Sequence, residues 1–129
     1  MAVDTQLLPE DIVTATLNRV GKDVRLVDDQ RLAKIFDDAS KDPEGAFREF
    51  RIYPRYEFSR LLSETLQVLD LAGSIRRENA AQRYFGPSEH TLGEYGKSKY
   101  DQLEAPDKAA VDRVATQIKQ VFASSNEPR

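Results

Sequence analysis

The chain of 129 residues lacks several residue types on which particular protein functions depend. It contains no cysteine and no tryptophan, and it has one histidine and one methionine. Without cysteine, disulfide bonds, thiolate metal ligands and thiol nucleophiles are excluded. The single histidine, His90, has no partner at metal-ligand spacing. We therefore expect no metal, no cofactor, no catalytic residue and no enzymatic activity.

Long apolar runs are also missing. No run approaches the roughly 20 residues that a helix needs to cross a bilayer, and the start MAVDTQLLPED carries acids where a secretory signal carries bases. We expect a cytoplasmic protein without membrane association. The composition, 40% hydrophobic and 32% charged, suffices for one core, and the length predicts a single domain with at most a helical extension.

The strongest helical pattern lies in the middle of the chain. Apolar residues recur at steps of three and four, which predicts a helix over residues 56–72 with Phe58, Leu62, Leu66 and Leu69 buried. Gly73 follows, and glycine is the residue that most easily adopts the left-handed backbone conformation with which helices end. The next two stretches predict an antiparallel hairpin that pairs Ser74–Asn79 with Gln82–Pro87.

The flanking segments are typical of further helices. Pro9 predicts the start of a first helix, which Gly21 ends. Val24–Val27 fits either a short strand or a packed connection. A second helix with its core side at Leu32–Ala39 follows. A short helix is expected over Tyr95–Leu103, weakened by Gly96.

Gly96, Lys97 and Ser98 are similar to the end of a phosphate-binding loop. That motif requires glycine five residues before its second glycine, where Thr91 stands. The interpretation is therefore rejected.

The predicted organisation has four parts. These are a flexible N-terminus at residues 1–8, a domain over residues 9–103, a C-terminal helix over residues 104–123 and a disordered tail at residues 124–129. The order of elements resembles a winged-helix (winged helix-turn-helix) architecture, without pointing to a specific family. The fold class expected is mainly α, a winged-helix-like helical domain with one small β-hairpin and a C-terminal helix. The segment at residues 41–54 departs from a compact helix-turn-helix, in which a few residues join the helices.

The winged-helix resemblance implies duplex DNA as a partner. Residues 48–99 hold 9 basic and 7 acidic groups, net +2, whereas the whole chain is −3. In a winged helix, the outer face of the long helix enters the major groove and the hairpin contacts phosphates or the minor groove. The residues assigned to DNA are Arg55, Arg60, Ser63, Gln67, Arg76, Arg77 and Arg83. The leading interpretation is a small DNA-binding protein of the transcription-regulator type.

The alternative is a protein–protein interaction module, or adaptor, that reuses this frame without binding DNA. Glu57, Glu64 and Glu78 lie among the arginines and would repel phosphate. Tyrosine and arginine, both frequent in the middle of the chain, are also enriched at protein interfaces. A continuous positive face over the helix and hairpin would favour DNA. An apolar or acidic patch there would favour protein.

The C-terminal helix carries one apolar stripe. Its members are Val111, Val114, Ile118, Val121 and Phe122. This spacing fits two heptads, which predicts a homodimer with the stripe as its interface. The same stripe would also suit a helix that covers the core of its own domain.

Overall fold

The protein is described by a computed structural model over residues 8–21, 26–27, 30–42, 45–50, 52, 60–77 and 84–125. In chain order its elements are α1 (Pro9–Val20), β1 (Leu26–Val27), α2 (Gln30–Ala39), α3 (Arg60–Leu71), β2 (Ile75–Arg77), β3 (Tyr84–Pro87), α4 (Glu89–Leu92), α5 (Glu94–Asp101) and α6 (Ala105–Ser125). The prediction of a mainly helical fold with a small hairpin and a C-terminal helix is confirmed.

Helix α1 is the central helix of the described structure. Pro9 stands in its first turn together with Glu10 and Asp11, which suit the positive end of the helix dipole. Every residue from Ile12 to Leu17 is buried, so the helix has packing partners on nearly all sides. It packs against α3, α5 and α6.

Helix α2 packs against the segment that follows it and is hydrogen-bonded to it. Phe36 packs edge-on against Phe47 and Phe50, with ring centroids 5.4 and 5.2 Å apart, a favourable geometry for aromatic pairs. The Ile52 amide donates a hydrogen bond of 2.7 Å to Oδ1 of Asp37. These contacts hold the described residues of the 41–54 segment against α2.

Helix α3 confirms most of the predicted central helix. Leu62, Leu66 and Leu69 are buried as expected, whereas Phe58 and the rest of residues 56–59 lie outside the described residues. The helix stops at Gly73, whose φ of 78° lies in the left-handed region that glycine tolerates. The Ser74 amide then donates a hydrogen bond of 2.8 Å to the Leu69 carbonyl oxygen.

The hairpin is confirmed over its described residues, and the sheet has a third strand. Residues 78–83 of the predicted hairpin lie outside the described residues. β2 pairs antiparallel with β3, with Arg76 opposite Gly86. β1 pairs with the other edge of β3, so the sheet order is β1-β3-β2. The Val24–Val27 segment therefore includes a strand and is more than a packed connection.

Helix α5 comes close to the end of α4 at Gly96. A Cβ atom at this position would stand 1.8 Å from the Thr91 carbonyl oxygen and 3.2 Å from Cβ of Asn18. The Asn18 side chain donates to that same oxygen at 3.0 Å. The glycine that weakens α5 in the sequence thus allows α4, α5 and α1 to pack closely.

The interpretation of the C-terminal stripe as a dimer interface is wrong. Four of its side chains, Val111, Val114, Ile118 and Phe122, are at most 2% exposed within the single chain, and Val121 is half-buried against the same core. They pack inward because α6 lies along α1 and α2. A side chain already buried in the core cannot also cover a second copy.

The boundaries of this helix also differ from the prediction. It runs to Ser125, so two of the six residues expected in a disordered tail are helical. Residues 126–129 and 1–7 lie outside the described residues. None of the described helices is both long and apolar enough to cross a membrane.

Candidate interaction surface on helix α3 and the hairpin

The outer face of α3 is defined here by its exposed described residues, which are Glu64, Gln67, Val68, Asp70 and Leu71. Its two apolar members are unusually open: Val68 is 48% exposed and Leu71 is 90% exposed. Glu64, Val68 and Leu71 are spaced by four and three residues and so share one side of the helix. Large apolar side chains grouped in this way are typical of surfaces that bind other proteins.

The structure brings some of the residues assigned to DNA together. Gln67 is exposed on α3, Ser63 is half-buried on the same helix, and Arg76 is exposed on β2, which packs against α3. Arg60 is the first residue of α3 and Arg77 the last of β2. Arg55 and Arg83 lie outside the described residues.

The charge of this surface differs from that of a groove-reading helix. Among the described side chains of the outer face there are two carboxylates, those of Glu64 and Asp70, and no base. Among the side chains that the structure describes, Arg76 on the neighbouring strand is the nearest exposed base along the chain. DNA carries a negative charge at every phosphate, so a surface that binds it is expected to present bases and few carboxylates.

The packing of α3 also departs from a helix-turn-helix pair. In that motif, a turn of three or four residues joins the two helices. Here residues 40–59 separate α2 from α3. Over the described residues, α2 has its main helix contact with α6, and α3 has its main contact with α1.

A cluster of polar side chains that the sequence pattern did not predict joins α1, α5 and α6. The Tyr100 hydroxyl donates a 2.7 Å hydrogen bond to Asp112. The Arg19 Nε donates to the other oxygen of the same carboxylate at 3.0 Å, and its guanidinium lies 4.6 Å from the centre of the Tyr100 ring. The hydrogen bond to Asp112, followed by burial and the charge of that carboxylate, raises the pKa of Tyr100. The Tyr100 hydroxyl acts as a hydrogen-bond donor that joins α5 to α6.

His90 lies outside this cluster, on the exposed surface of α4. Its ring stacks on Tyr95, with centroids 4.2 Å apart and planes at 13°. The Tyr95 ring also has the ammonium of Lys99 5.4 Å from its centre. Across the described residues there is no group of three or more histidine or carboxylate side chains that would hold a metal ion.

The acidic residues around the end of α2 have structural partners. Asp37 accepts from the Ile52 amide, and Asp38 pairs with Lys34 at 3.1 Å and with Lys41 at 3.6 Å. These carboxylates thus stabilise α2 and the turn after it.

Comparisons of the chain with protein-family models, curated proteins and solved structures give no match.

Proposed function

We propose that this chain is a protein–protein interaction module that binds a partner protein with the outer face of α3. The observation that carries the proposal is the exposure of Val68 and Leu71, at 48% and 90%, on a helix whose opposite side is buried in the core. The partner segment therefore carries apolar side chains that cover Val68 and Leu71.

The free energy available from burying these two side chains favours a small, specific contact. Fully burying an aliphatic side chain stabilises an interface by about 1.5–3 kcal/mol, and Leu71 has nearly all of its surface available. Part of this gain is offset by the loss of translational and rotational freedom on association. Leu71 is therefore expected to be the residue whose replacement weakens binding most.

The test is a capture experiment from lysate of the native host, treated or untreated with nuclease. Leu71→Arg should lose proteins that the unmodified chain captures, because arginine removes the apolar contact. It should remain folded, since a basic residue is favourable at a helix C-terminus. The matched control is Leu8→Arg, because Leu8 is 49% exposed but lies at the start of α1. Capture that is insensitive to Leu71→Arg would contradict the proposal.

A second candidate function is duplex DNA binding in a winged-helix frame. The order of elements α1, β1, α2, α3, β2 and β3 supports it, as does the exposed Arg76 on the hairpin. In this case Arg76→Ala should weaken binding to all sequences. It should also reduce the slope of log binding constant against log salt concentration by about one. The control is Arg113→Ala, which removes an exposed arginine from α6. No shift of genomic fragments at low salt would eliminate this candidate.

The winged-helix architecture and a cytoplasmic location remain part of the proposal. The absence of cysteine supports the second of these, because small domains in oxidising compartments are frequently stabilised by disulfides.

A further inference from the structure

No further inference is drawn: the strongest candidate, the shallow groove between α2 and α6 with Ile35, Ile52 and Val121 as its apolar lining, carries no proposal because nothing in the structure shows what covers it.

Discussion

Replacing Gly96 by alanine should destabilise the protein, the opposite of what the same change does in an ordinary helix. In a helix interior, alanine is favoured over glycine by about 0.5–1 kcal/mol. Here the added Cβ would stand 1.8 Å from the Thr91 oxygen and 2.7 Å from its carbonyl carbon. Both are backbone atoms, and ordinary van der Waals contact begins at 3.4 Å, so α4 or α5 would have to move by more than 1 Å.

The surroundings of Thr91 oppose that movement. Its carbonyl oxygen accepts from Asn18 at 3.0 Å, and its hydroxyl donates to the Ser74 carbonyl at 2.7 Å. Overpacking of a well-packed site costs about 1–3 kcal/mol, which exceeds the gain in helix propensity. We expect a net loss of about 1–2 kcal/mol in the free energy of unfolding.

The assay is urea denaturation followed by circular dichroism. The control is Ser98→Ala, at an exposed position of the same helix, which should change the free energy of unfolding by less than about 0.5 kcal/mol. If Gly96→Ala is as stable as the unmodified protein, or more stable, the close approach of α4 and α5 does not exist and the account of this glycine is wrong.

Three further outcomes are expected. Ile118→Asp should abolish folding and not yield a folded monomer, because Ile118 is 0% exposed within the chain; a cooperative unfolding transition near that of the unmodified protein would contradict this. Leu66→Ala, at a position 3% exposed, should cost about 2–5 kcal/mol in urea denaturation. Asp112→Asn should lower the pKa of Tyr100, because the hydrogen bond and charge that raise it above 10.0 are weakened, as measured by tyrosinate absorbance. Since the folded state holds the Tyr100 proton more tightly, this contribution to stability is present below the ordinary pKa and is lost as pH rises through the raised one.

Periodicity predicted which side of each helix is buried. Leu62, Leu66 and Leu69 in α3, and Val111, Val114 and Ile118 in α6, are all inside. It could not predict what each side packs against, because a stripe that covers its own core and a stripe that covers a second copy have the same spacing. The assignment of the α6 stripe to a dimer interface failed on that ambiguity.

The sequence contains a pattern that indicates the buried position of α1. Ile12–Leu17 contains no charged residue, which is typical of a helix buried on several sides. The strongest amphipathic pattern lies in α3, although α1 is the helix that packs against α3, α5 and α6.

The polar cluster had no local signal. Arg19 and Asp112 are 93 residues apart in the chain, and their pairing depends on how three helices pack.

The outer face of α3 could be predicted from the sequence in part. Glu64 and Gln67 were predicted on the side opposite the core, whereas the sequence pattern gave no prediction for Val68 or for Leu71, which is 90% exposed.

The most direct test of the central claim is to ask what position 71 contacts in the living cell. A photoreactive amino acid introduced at Leu71 should, on irradiation, crosslink the chain to protein, in products that resist nuclease. The same amino acid at Leu8 should give no such products. Crosslinks at position 71 that nuclease removes, or products that are the same from positions 71 and 8, would contradict the account.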